Sequence, residues 1–298
     1  MTKICMILMA AFLMCVPVSC SLQRALTVDQ SSASMSASRI NETYSPGGRV
    51  EEVFYDCSVP GPSRRRMLVY LPEGYDEGGR YPVTYLFHGA RGNETSWIKD
   101  GDLLRVQDSL VSAGLAVPSI TVMPNMNQYD DDEDFGESRF KRPIESFFET
   151  NGTVESAFIR DVVRVVDSLY RTVPDKRHRA VAGLSVGALQ SIFISANSPD
   201  MFDYVGLFSP MYRSPALSGD EIPFYRGLED KIERQFSQKP RLYSIQIGTG
   251  DIFHSHMKRF RHFLDISGAS YEYYETKGGH SWTSWRQFYK NFAVKAFK

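Results

Sequence analysis

The sequence predicts an α/β domain in which a mostly parallel central sheet carries helices on both faces. Two observations support this. From Arg49 onward, short apolar runs alternate with longer segments of helical periodicity, the order that builds strand–helix–strand units around a parallel sheet. Within that alternation, Gly183-Leu184-Ser185-Val186-Gly187 sits between an apolar strand and a helical segment, so a tight, glycine-flanked turn joins the two.

Taken in order, Val50 to Ser58 and Arg66 to Leu71 read as strands, closed by Leu71-Pro72-Glu73-Gly74-Tyr75. Tyr81 to Phe87 is nearly continuous in apolar residues and stops at His88-Gly89, as a strand buried on both faces does. Leu103 to Ala113 is helical in pattern, and Ser119 to Met123 is a further buried strand. Asp130-Asp131-Asp132-Glu133-Asp134 follows; it lacks the glycine turn and distal Glu of a calcium loop and reads as a solvated loop bordering the cleft. Phe158 to Val173 shows a broad apolar helical face that halts before Pro174. Strands are expected at Ala180 to Leu184, Tyr204 to Phe208, Leu242 to Ile247 and Tyr271 to Tyr274. Helices are expected at Val186 to Ala196, Phe224 to Phe236, Met257 to Ser267 and Trp282 to Ala296.

Before Arg49 the pattern is different. Lys3 precedes the apolar run Ile4 to Val18, about 15 residues, the length of a signal-peptide core and short for a membrane span. Residues 1–20 therefore read as an export signal. Pro17-Val18-Ser19-Cys20 resembles a bacterial lipoprotein processing site, with Pro17 where that motif usually has Leu; lipidation of Cys20 and ordinary signal cleavage both fit. Residues 21–47, rich in Ser, Ala and Gln, read as a flexible tether, and 48–298 as one domain. The protein is thus expected outside the cytoplasm, periplasmic, extracellular or lipid-anchored, touching a membrane only through that anchor.

Composition narrows the partners. With 34 Lys and Arg against 35 Asp and Glu, the net charge of −1 gives no reason to expect nucleic acid or an anionic membrane surface as partner. Three of the four cysteines (Cys5, Cys15, Cys20) lie in the leader, so Cys57 has no disulfide partner in the domain and is expected as a buried thiol. The oligomeric state is not legible.

A serine on a strained strand-to-helix turn has its hydroxyl exposed and lies at a helix N-terminus, where backbone N–H groups face developing negative charge. A serine hydroxyl is a weak nucleophile until a base takes its proton. In chains that place the serine this way, the acid and then the base follow it. That order removes His88 and His178 from the six histidines. His262 falls within a helical pattern, and His254-Ser255-His256 reads as solvated loop, with no third ligand at metal-binding spacing. His280, in Lys277-Gly278-Gly279-His280-Ser281-Trp282 between the last strand and last helix, is the expected base. Asp251 follows the strand ending at Ile247 and is the expected acid; its rival Asp265 falls mid-helix, and Asp251 could instead cap a helix. The oxyanion donors are expected at the amides of Val186 and Ala90, with His88 orienting the Ala90 loop. Arg91, Trp97 and Trp282 are the candidate substrate contacts.

These residues resemble the "putative esterase" family of α/β-hydrolases, which includes carbohydrate esterase family one (feruloyl and acetylxylan esterases), enterochelin esterases, S-formylglutathione hydrolases and mycobacterial mycolyltransferases. The resemblance spans residues 48–297 and is carried by Val69 to Tyr75, Tyr81 to Gly89, Arg179 to Ser185 and Gly279-His280-Ser281-Trp282, with Trp285-Arg286 soon after. It implies an α/β-hydrolase fold, Ser185, Asp251 and His280 as the triad, and the Ala90 and Val186 amides as the oxyanion hole. Two positions depart from the family: Val186-Gly187-Ala188 stands where Met-Gly-Gly is common, and Ser281 where Asp often follows the histidine. The implied chemistry is hydrolysis of an ester on a carbohydrate, acetyl or feruloyl, through an acyl-enzyme and with no metal or organic cofactor. Acyl transfer to a sugar hydroxyl and a catalytically silent carbohydrate-binding relative are the alternatives.

Overall fold

The computed structural model describes residues 47–60, 63–127, 152–212 and 226–298. The expected export signal with Cys20, the expected tether up to residue 46 and the acidic run 130–134 lie outside the described residues. Among the described residues no helix is long and apolar enough to cross a membrane.

Eight strands form one sheet in the order β1-β2-β4-β3-β5-β6-β7-β8. They are β1 (Arg49–Asp56), β2 (Arg64–Leu71), β3 (Val83–Phe87), β4 (Ile120–Pro124), β5 (Arg179–Leu184), β6 (Tyr204–Phe208), β7 (Leu242–Gly248) and β8 (Glu272–Thr276). β2 runs antiparallel to both β1 and β4, and every other pair is parallel. The central strands β3 to β7 are buried along their whole length, which is why their sequences read as unbroken apolar runs rather than alternating ones.

Besides a single helical turn at Ser96–Lys99, the helices are α1 (Leu103–Ser112), α2 (Thr153–Phe158, continued through a π-helical stretch Ile159–Val163 into Arg164–Leu169), α3 (Val186–Asn197), α4 (Leu228–Ser237), α5 (His254–Ile266) and α6 (Trp282–Ala293). Helices α1 and α6 share one core with Tyr70, Leu86 and Phe208, while α2 to α5 share the other with Val69, Tyr85 and Leu207. Adjacent strand residues such as Val69 and Tyr70 point to opposite faces, so both faces of the sheet are covered, as expected. Helix α3 is buried from Val186 to Ala196; each of its Leu, Ile and Phe side chains contributes about 1.5–3 kcal/mol by leaving water.

Several boundaries, and the burial of Cys57, differ from the sequence expectation; α4 begins at Leu228 rather than Phe224, and α6 ends at Ala293 rather than Ala296. α2 begins at Thr153 and stops at Leu169, because Thr172 leaves the helix to bridge Tyr81. α5 begins three residues early, at His254. Cys57 is half-buried rather than buried, and its Sγ accepts from Arg65 Nε at 3.3 Å.

Register places the site. Phe87 lies beside Gly183, Leu184 beside Phe208, Phe208 beside Gln246 and Gly248 beside Thr276. The carboxyl ends of β3, β5, β6, β7 and β8 therefore finish along one edge, the edge where parallel sheets carry their sites.

Candidate active site

Ser185 occupies the single residue between β5 and α3, at φ 54° and ψ −115°. Positive φ at a residue with a Cβ costs on the order of 1–3 kcal/mol and persists only where the surroundings enforce it. Here the flanking glycines do so. A Cβ on Gly187 would come within 2.3 Å of the His88 carbonyl oxygen, and one on Gly183 within 2.5 Å of the Gly187 carbonyl. Only bare backbone lets α3 descend this closely onto the ends of β3 and β5. The Ser185 N–H donates to Phe208 O at 2.9 Å, pinning the turn to β6.

The hydroxyl of Ser185 lies 2.9 Å from His280 Nε2. On the far side of the ring, Nδ1 is 3.0 Å from Asp251 Oδ2 and 3.1 Å from Oδ1. A carboxylate on Nδ1 fixes the proton there and leaves Nε2 free to accept from the serine. The Asp251 side chain is sealed from solvent, while that of His280 keeps 19% of its exposure. Burial pushes the Asp251 carboxyl up, but hydrogen bonds from His280, from the Phe253 N–H (2.9 Å) and from the Ser209 hydroxyl outweigh it and hold the group below its ordinary 3.8. Phe253 and Trp285 meet the imidazole at right angles, with ring centroids 5.0 and 4.9 Å away.

Across the serine turn lies the loop after β3. His88 is buried; its Nε2 accepts from Met126 N–H at 3.0 Å, so the proton sits on Nδ1 and is donated to Gly89 O at 2.8 Å. Asn127 Nδ2 donates to Gly92 O at 2.9 Å, and Gly92 N–H to Gly89 O at 3.0 Å. The buried Glu94 carboxylate pairs with Arg66, which also reaches Glu52 at 3.0 Å. In this frame Ala90 is half-buried, and Val186 is the first residue of α3, so its N–H has no carbonyl within the helix to bond. Among the described residues neither the Ala90 nor the Val186 amide donates a loop or cap hydrogen bond to backbone.

Comparison with known proteins places this arrangement. The family model described as "Putative esterase" matches residues 61–288. The chain belongs to that family. Among curated proteins, an endo-1,4-beta-xylanase/feruloyl esterase of Xylanibacter ruminicola is 35% identical over 167 residues, which is 54% of this chain and 22% of that protein. The chain thus spans about a fifth of that longer relative. Among solved structures, a ferulic acid esterase from Anaeromyces mucronatus in complex with ferulic acid superposes with a TM-score of 0.70 at 25% identity, covering 87% of this chain and 93% of that one. An S-formylglutathione hydrolase from Staphylococcus aureus superposes with a TM-score of 0.64 at 16% identity, covering 85% and 99%. The fold is the α/β-hydrolase fold that these esterases share.

Against this esterase framework the remaining expected residues fall into two groups. Arg91 is exposed at φ 61° beside Ala90, and Trp282 is half-buried just after His280, so both lie at the rim. Trp97 does not. It is 1% exposed, donates its indole N–H to Phe87 O at 3.0 Å and packs against Phe208, Tyr289 and Trp282. It is a core residue under the loop rather than a surface offered to substrate. His254 and His256 occupy the first turn of α5, not a loop; His254 Nε2 is 3.1 Å from Glu275 and His256 leans on Phe253. Asp265 is on the exposed side of α5 and accepts from Tyr271, far from the imidazole's partners.

Sequence reasoning missed Phe253, Ser209 and Trp285 around the acid and base. Ser209 carries one local signal, its place directly after a buried strand, like Ser185. Phe253 carries only its proximity to Asp251 in the chain, and Trp285 stands in the family resemblance without a role.

Proposed function

We propose that this chain is a serine esterase that hydrolyses carboxylic esters through a covalent acyl-enzyme. The observation that carries the reading is the continuous line Ser185 Oγ–His280 Nε2–Asp251, closed by contacts of 2.9 and 3.0 Å in the chain order Ser, Asp, His. His280 Nε2 takes the hydroxyl proton as Ser185 Oγ bonds to the ester carbonyl carbon. The carbonyl oxygen becomes an anion held by the Ala90 and Val186 amides, and the positive end of α3 favours that charge. The C–O bond to the alcohol then breaks, and the alkoxide leaves with the proton from His280. Water, deprotonated by His280, attacks the acyl-enzyme and releases the acid and Ser185.

Acetyl or feruloyl esters of carbohydrates are the substrate class this reading favours. Its support is the named activity of the Xylanibacter relative and of the ferulate-bound neighbour. Export, with retention through a lipidated Cys20 or release by signal cleavage, fits the leader in residues 1–20 and an external polymer as substrate. A panel of acetyl, butyryl and feruloyl esters of aryl alcohols and sugars, assayed with wild type and Ser185→Ala, tests this. Turnover that prefers sugar-linked feruloyl or acetyl esters and disappears in the variant is expected. Undiminished turnover in Ser185→Ala contradicts the mechanism, and indifference to the sugar contradicts the substrate class.

A further inference from the structure

We propose that Ser209 and Trp285 form a positioning pair that holds the Asp251 carboxylate, and through it His280, in the reactive orientation. The inference rests on the esterase reading above and adds two residues that act behind the triad.

Ser209 directly follows β6, at φ 52° and with no exposure to solvent. Its N–H donates to Gln246 O at 2.8 Å, so the residue is clamped to β7, the strand that carries Asp251. Its Oγ accepts from the Trp285 indole N–H at 3.0 Å. An indole nitrogen can only donate, and a serine hydroxyl has a single proton. With the indole on a lone pair and water excluded, that proton needs an acceptor, and the acceptor proposed is the Asp251 carboxylate, which Ser209 helps to hold below its ordinary range. Trp285 thus sets the direction in which Ser209 donates.

The same indole ring meets His280 at 90° with centroids 4.9 Å apart. One side chain therefore touches both ends of the acid–base pair: the N–H end through Ser209, and the ring against the imidazole. Phe253 N–H and His280 Nδ1–H already bond the carboxylate; with Ser209 as a third donor it would be stopped from rotating about its own bond. Among the described residues, His256 packs on Phe253, which also meets the imidazole, and His254 in the same turn pairs with Glu275 at 3.1 Å. Ser209 is held by Gln246 and Trp285, and its hydroxyl proton is the part proposed to reach Asp251, so substitution there addresses the carboxylate.

The test compares wild type, Ser209→Ala, Trp285→Phe and the double variant on an aryl acetate, with folding followed by Tm. Ser209→Ala should lower kcat about tenfold while KM stays within about twofold. A carboxylate that has lost a donor is the stronger base and binds the imidazolium proton more tightly, so the acid limb of kcat/KM should move to higher pH. Trp285→Phe keeps a ring against His280 and removes only the N–H; it should move kcat and the acid limb the same way by less, and the double variant should be no slower than Ser209→Ala. Should Ser209→Ala fail to fold, Trp285→Phe carries the test. An unchanged kcat, a KM that rises in step, a stationary acid limb or additive losses would overturn the proposal. The low-field Nδ1–H resonance of His280 gives a reading without substrate: it should move in Ser209→Ala, and a fixed resonance overturns the inference. A wild type inactive on every ester would sink the esterase reading, while the resonance would still judge the pair.

Discussion

Gly250 donates its N–H to the carbonyl of Gly278 at 2.8 Å, and this bond ties the loop bearing Asp251 to the loop bearing His280. Thr249 N–H reinforces it by donating to Thr276 O at 2.8 Å. Acid and base are thus delivered as one unit from the adjoining ends of β7 and β8. The contact is close because Gly248 has no side chain: a Cβ there would stand 2.3 Å from Gly278 O.

Gly248→Ala is therefore expected to push the two loops apart. Because reacting groups must meet to within a fraction of an ångström, kcat should fall by about tenfold or more. Stability should fall too, by roughly 1–3 kcal/mol, the usual range for overpacking. Steady-state kinetics and a denaturation curve on the same preparation check both.

Asp251→Asn should lower kcat by on the order of 10⁴-fold with the fold intact, since an amide no longer selects the productive tautomer. The carboxyl also predicts a pH effect on stability. Burial raises its pKa, but the hydrogen bonds from His280, Phe253 and Ser209 prevail and leave it below 3.8. A depressed folded value means the charged group stabilises the fold above its unfolded pKa, and that this contribution disappears as pH falls through the lower folded value. The Tm difference between wild type and Asp251→Asn should therefore narrow from neutral pH to about pH 3.

Glu94 is fully buried and pairs with Arg66 on β2, so it anchors the loop that presents Ala90. Removing one partner of such a pair costs more than the pair contributes. Glu94→Gln should destabilise the protein by about 1–3 kcal/mol, discounted because Arg66 is one-third exposed. It should also lower kcat more than it raises KM, because oxyanion donors act mainly in the transition state. Comparing both parameters with Tm checks this.

Trp97 separates packing from recognition. Trp97→Phe removes the donor to Phe87 O and leaves a void beside Phe208, so about 1–3 kcal/mol of stability should be lost. KM for any ester should be unchanged. A raised KM with an unaltered Tm would return Trp97 to the substrate.

The triad residues were legible because each is announced locally. Ser185 and Asp251 follow apolar strands and His280 follows the tyrosine-bearing edge strand β8, all in glycine-bearing turns that a linear reading can find. The mostly parallel sheet and the two-faced core followed from the same runs, whereas the strand order, with β4 between β2 and β3, did not. What the linear reading could not supply depends on contacts between distant segments. Ser209 and Trp285 are 76 residues apart, and nothing beside either one names the other. Trp97, expected as a substrate contact from its place after the Ala90 loop, turns its indole inward to the Phe87 carbonyl. The start of α5 was missed because no Ser, Thr, Asp or Asn stands at its N-cap; Phe253 does, and Asp251 spends its carboxylate on the Phe253 amide and on His280.

The covalent step through Ser185 is the centre of this account, and mass spectrometry of the acid-quenched protein during turnover of an aryl acetate or feruloyl ester tests it most directly. The account predicts that the peptide containing Ser185 gains the mass of the acyl group, and that Ser185→Ala neither gains it nor turns over. Steady turnover with no acyl group on Ser185, or an equal rate in Ser185→Ala, would contradict it.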